Sequence, residues 1–161
     1  MADISMPQGG VRDTTGGPGP RGGDEHARLQ DLHTRLVDTV AGYDKLVEKS
    51  EPEFVGIAEE FRDLHRTQAE RVLAMLHGLG GEPDAEGSMM GTVNRAVVEV
   101  RSWFDDIGHT VIDALVDGEK RVLEDFKTAK AASPSVERRG MLDQMCGEIT
   151  MLLHRHAPDR V

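Results

Sequence analysis

The chain has one cysteine, one tryptophan, one tyrosine and four phenylalanines in 161 residues. A lone thiol, Cys146, excludes an internal disulfide and fits a reducing compartment, so a cytoplasmic protein is expected. With aromatics at 4%, any core must be filled by Leu, Val, Ile and Met. Long apolar runs are missing: Val97-Val98 and Met151-Leu152-Leu153 are brief, so no membrane span is expected. The first residues hold no apolar stretch of the kind a secretory signal needs, and none is expected. Basic residues are also scarce, 19 against 29 acids, for a net charge of -10. Such a surface repels phosphate backbones and anionic lipid, so neither nucleic acid nor membrane is an expected partner. No nucleophile triad, phosphate loop or cysteine metal motif is present.

What the chain does have is length for one domain and a strong helical period. Residues 1–23 contain seven of the 18 glycines and three of the seven prolines and predict a disordered tail. Residues 24–157 predict four main helices and no strand. The first carries Leu29, Leu32, Leu36, Val40, Tyr43 and Val47 on one face. Ser50 is expected to cap the second, with Glu53 closing a capping box and Pro52 tolerated in the first turn. That helix carries Phe54, Ile57, Phe61, Leu64, Val72, Met75 and Leu79, and Gly80-Gly81-Glu82-Pro83 ends it. A shorter helix after Ser88 carries Val93, Val97, Val100 and Phe104. Asp105-Asp106 opens the third main helix, with Ile112, Leu115, Val116, Val122, Leu123 and Phe126. Ser133-Pro134 ends it and starts the fourth, serine as cap and proline in the first position, with Leu142, Met145, Ile149, Leu152 and His156 inward.

Connection lengths then suggest a topology. The tight joints near residues 50 and 133 make each flanking pair antiparallel. The segment between the second and third helices could reach roughly 50 Å, enough to run back along helices of about 35 to 42 Å. The second and third helices would then be parallel, a ferritin-like four-helix bundle with a short crossover helix.

Glu119 sits where that pattern asks for a leucine. A buried carboxylate is unfavourable unless paired, hydrogen-bonded, protonated or metal-bound. Counted from the Ser133 joint, Glu119 and Glu148 lie level, and His65 lies level with both from the other end. Gly42, Gly118 and Gly147 each precede one of the polar residues Tyr43, Glu119 and Glu148, which fits either close helix approach or room for an ion or water. Inward carboxylates and imidazoles hold iron or manganese in helical bundles. A two-metal centre is not expected, because Arg62 rather than Glu precedes His65 by three residues and Met151 likewise precedes His154. One ion held by His65, Glu119 and Glu148 is one reading. The other, and the expected one, is a buried polar cluster in which Glu119 pairs with His65 or with Arg62 reaching inward.

The remaining polar residues read more plainly. His33 and Tyr43 are expected at the core edge, with Gln68 bonding His33 across the first pair. Arg62, Arg66 and Arg71 make a solvated or ion-paired face, and Met89-Met90 a contact under the crossover. His154 and His156 are cations on a helix end, and Cys146 is a small packed hydrophobe.

From Leu29 to His156 the chain resembles a bacterial family of ferritin-like four-helix bundles known as a domain of unknown function. The resemblance rests on Gly42-Tyr43, Phe61, His65, Gly80-Gly81-Glu82-Pro83, Gly87-Ser88-Met89-Met90-Gly91 with Arg95, and Gly118-Glu119 with Phe126. Asn94 stands where a histidine is usual, Val97 where tryptophan is common, Lys120 for an acid and Phe126 for a tyrosine. The resemblance implies the fold and supplies no activity. The expectation is a non-enzymatic bundle, with a role in stress physiology through self-association as a homo-oligomer (a dimer) or through a protein partner. The alternative is an iron- or manganese-binding or redox protein.

Overall fold

A computed structural model describes residues 22–80 and 111–160. The described residues form four helices and no strand: α1 (Gly22–Lys49), α2 (Pro52–Gly78), α3 (Val111–Ala132) and α4 (Val136–His156), followed by a short 3-10 turn at Pro158–Arg160. Of the expected tail only Gly22 and Gly23 are described, and they open α1; the rest of it, the short helix after Ser88, the Asp105-Asp106 helix start and the Met89-Met90 contact fall outside the described residues.

Along every helix one line of buried positions steps alternately by three and four. On α1 they are Glu25, Leu29, Leu32, Leu36, Thr39, Tyr43 and Leu46. On α2 they are Ala58, Phe61, His65, Gln68, Val72 and Met75. Leu115, Glu119, Val122, Phe126 and Ala129 continue the pattern on α3, as do Leu142, Met145, Ile149 and Leu152 on α4. A spacing of 3.5 is the seam of helices that cross at shallow angles and interlock along their length. It shifts α1's seam from the expected Val40 and Val47 to Thr39 and Leu46, leaving both valines half-buried.

Cross-helix contacts fix the directions. Climbing α1 from Glu25 through Arg35 to Tyr43, the partners on the other side descend from Ser133 through Asp125 to Glu119. Helices α1 and α3 are therefore antiparallel. Glu60 meets Arg155 and His156 while Gln68 meets Met145, so α2 and α4 are antiparallel too. With turns of a few residues joining α1 to α2 and α3 to α4, α2 and α3 run the same way.

Two caps differ from the expected ones. Ser50 does not cap α2, because its N–H still bonds the Leu46 carbonyl and so closes α1. Glu51 is the N-cap, without a side-chain bond, ahead of Pro52. At the second joint Ser133 is buried and donates to Glu25, so the cap falls to Ser135, whose hydroxyl accepts from the Arg138 N–H. The expected stop after α2 holds: Gly80 has φ +77, the left-handed region glycine adopts without strain.

Candidate functional site

The seam positions bring a set of polar groups together between all four helices. Tyr43 on α1 donates its hydroxyl to Glu119 Oε1 on α3 at 2.6 Å. His65 on α2 places Nε2 3.0 Å from both Glu119 oxygens. Its Nδ1 lies 3.2 Å from Gln68 Oε1, one turn further along α2. Gln68 Nε2 donates to the Met145 carbonyl of α4 at 3.0 Å. His65 and Gln68 are 0% exposed, and Tyr43 and Glu119 1%. Phe61 and His65 both stack on the Tyr43 ring, at centroid distances of 5.7 and 5.8 Å, which holds the phenol against Glu119.

The bonds can be read for their protons. Gln68 must turn its NH2 to the Met145 carbonyl, which leaves its Oε1 facing His65, so Nδ1 carries a hydrogen. Tyr43 donates to Glu119. Its pKa stands well above the usual 10.0, first because burial disfavours the phenolate and then because the Glu119 charge and hydrogen bond do the same. Between His65 Nε2 and the Glu119 carboxyl, two acceptors 3.0 Å apart need a proton between them. The layer therefore holds one shared proton, as a histidinium–carboxylate pair or as a neutral imidazole and carboxylic acid, and either form is net neutral. This is how a carboxylate can sit in an aliphatic core.

The structure thus brings His65 and Glu119 into contact, as expected of that pair. Glu148 lies beside them but outside the layer. It accepts from Arg71 at 2.9 Å on both oxygens, from Gln144 at 3.1 Å and from Gln68 at 3.3 Å. Burial pushes its pKa up, but the hydrogen bonds from Arg71 and Gln68 outweigh this and hold it below 4.5. Among the described residues no group of three or more His, Cys, Asp or Glu side chains is placed to share a metal ion. Two donors of the expected ion set converge, and the nearest third oxygen is a phenol that resists losing its proton.

Of the other expected positions, some hold and some do not. Arg62 does not reach inward; it faces Asp44, Glu59 and Asp63, and Arg66 joins the same ion-paired face. Gln68 bonds His65 rather than His33. His33 is half-buried, and burial lowers its pKa. Tyr43 is a fully buried member of the layer and not a core-edge residue. Gly42 and Gly118 are buried, but Gly147 is exposed and a Cβ there would meet nothing within 4 Å, so it serves neither close approach nor an ion. Cys146 is half-buried against the core, and burial raises its thiol pKa. His154 is exposed, while His156 bonds Glu60 on α2.

A second polar set lies at the end of the bundle, and it was not foreseen. Glu25, 1% exposed, accepts from Arg138 at 2.6 and 2.8 Å and from the Ser133 hydroxyl. Burial raises its pKa, but the Arg138 and Ser133 bonds and the Arg138 charge outweigh it and hold the carboxyl below 4.5. The signal was available: four residues back from Leu29 the seam falls on Glu25.

The described residues define an all-helical bundle closed around a buried polar layer. The chain belongs to the family described as Domain of unknown function (DUF2383), whose model matches residues 24–131. That span includes Tyr43, His65, Gln68 and Glu119. No curated protein and no solved structure matches the chain. No described helix is long and apolar enough to cross a membrane.

Proposed function

We propose that this chain is a cytoplasmic ferritin-like bundle without catalysis of its own. It acts through protein contacts, self-association among them, with a role in stress physiology. Its polar layer fixes which helices meet and in what register. The parallel run of α2 and α3 supports the ferritin-like reading, since that arrangement needs one long connection. The observation that carries the structural role is closure of the layer. All four helices contribute, Tyr43 from α1, His65 and Gln68 from α2, Glu119 from α3 and the Met145 carbonyl from α4, and every side-chain polar atom in it has a partner inside the bundle. Buried polar groups of this kind set register in helical assemblies while adding little net stability.

A second reading makes the layer part of an iron or manganese site on His65, Glu119 and Glu148. It is favoured by the contact of imidazole and carboxylate at mid-bundle, the donor types these ions take. It requires Glu148 to leave Arg71. Metal analysis of protein purified without chelator separates the two, repeated on Glu119→Gln. The structural role expects no stoichiometric iron or manganese in either protein. Stoichiometric metal that disappears in the variant would overturn it. Self-association is read separately by sedimentation, and a monomer at all concentrations would remove that part.

A further inference from the structure

The joint between α3 and α4 carries a depression of about 570 Å³ lined by Lys127, Lys130, Ala131, Ser133, Pro134 and Arg139. Three of the six are cations and none is an acid, in a chain of net charge -10. Lys127, Lys130 and Ala131 share one face of the last turns of α3 through their i, i+3, i+4 spacing. Arg139 comes from the first turn of α4, and one of its N–H groups donates to the Ser133 carbonyl at 2.7 Å. That bond orients the guanidinium and uses one of its five donors.

Arg139 differs from three other arginines of the bundle. Arg62, Arg71 and Arg138 each face a carboxylate, whereas half-buried Arg139 has none among the described residues. Lys127 and Lys130 are paired with Glu124 and Asp143, both of which lie outside the lining. A partly desolvated cation lacking a counter-ion, set beside two more cations, is an arrangement that an oxyanion would complete. A guanidinium presents parallel donors that match phosphate oxygens, and flexible ammonium groups add charge from the side. The pocket is of small-molecule size, and the negative surface around it disfavours a polymeric anion.

We propose that this pocket binds the phosphate group of a small ligand, with Arg139 as the orienting contact and Lys127 and Lys130 as the flanking charges. The site is separate from the polar layer and does not depend on that layer's role.

The test is calorimetric titration of the full chain with inorganic pyrophosphate and with inorganic phosphate at constant ionic strength, with sodium chloride as control. Saturable one-to-one binding is expected, tighter for pyrophosphate. Arg139→Gln should weaken it by at least about tenfold, the scale of a lost charge-assisted bond. Because that change could disturb the joint, exposed Lys127→Gln gives a second reading, with a smaller loss expected. Circular dichroism of each variant reports retained helix. Heats no different from sodium chloride, or unchanged affinity in both variants, would overturn the proposal.

Discussion

Glu25 and Glu119 are equally shut away from water, yet their partners differ in kind. Glu25 meets a guanidinium that keeps its charge at every accessible pH, and Arg138 itself is 27% exposed. Glu119 meets a phenol and an imidazole, both buried, and shares a single proton with the imidazole. The end of the bundle therefore keeps a true ion pair, with one partner reaching water. The middle tolerates a carboxylate only inside a set whose total charge is zero. Position along the bundle decides which solution is available: near the end water can replace a lost partner, and in the middle it cannot.

The largest expected effect breaks the middle set. Glu119→Ala should lower unfolding stability by about 3–5 kcal/mol, because it strands a buried imidazole and phenol together. Glu25→Ala should lower it by about 1–3 kcal/mol, because Arg138 can turn to solvent. Denaturant unfolding of the two variants measures the difference directly. Equal losses would mean that end and middle are equally accessible to water.

Tyr43 sharpens the comparison because it is the sole tyrosine, so the change in near-ultraviolet absorbance on phenolate formation reports it alone. Its pKa is raised in the folded chain. A raised pKa gives stability that is complete below the unfolded value of 10.0 and is lost as pH climbs through the folded value. No phenolate should form near pH 10 while the helices remain, and ionisation should coincide with loss of helix. Tyr43→Phe should lower neutral-pH stability by about 1–2 kcal/mol through the lost donor and should lessen the alkaline fall. Reversible ionisation near pH 10 in the folded chain would show that water reaches the layer.

The acid limb tests the end set. Glu25 and Glu148 both have folded pKa values below 4.5. A depressed pKa gives stability that is present above the unfolded value and is lost as pH falls toward the folded one. Stability should therefore decline below about pH 4.5, and Glu25→Gln should make that decline shallower. An unchanged slope in a pH series of unfolding curves would show that the Arg138 pair is not formed in solution.

Glu119 could be found in the sequence because it interrupts a run of apolar residues with apolar neighbours on both sides. Glu25 could not be found that way, since it opens the seam and has apolar neighbours on one side only. Only the strict three-four step places it, and reading helix faces at 3.6 blurs that step over seven turns. His65 was legible from Phe61 and Val72 around it. Its choice of partners was not, because height along the bundle locates a residue to about one turn. An error of that size separates Gln68 on His33 from Gln68 on His65, and Glu148 inside the layer from Glu148 on Arg71. The cap at Ser135 was hidden for a different reason. Two serines flank Pro134, and which one caps depends on Glu25, more than a hundred residues earlier, claiming the other.

The smallest expected effect concerns the glycines beside the two mid-bundle glutamates. Gly118 precedes Glu119 and is buried, whereas Gly147 precedes Glu148 and faces open space. A helical glycine with room for a Cβ only adds freedom to the unfolded chain, so Gly147→Ala should raise stability by about 0.5–1 kcal/mol. Gly118→Ala enters a packed seam and should not show that gain. Matched thermal unfolding of the two variants measures the contrast. A gain at both positions would mean that the α3 seam has slack next to Glu119, and the closeness of the middle layer would then rest on its hydrogen bonds alone.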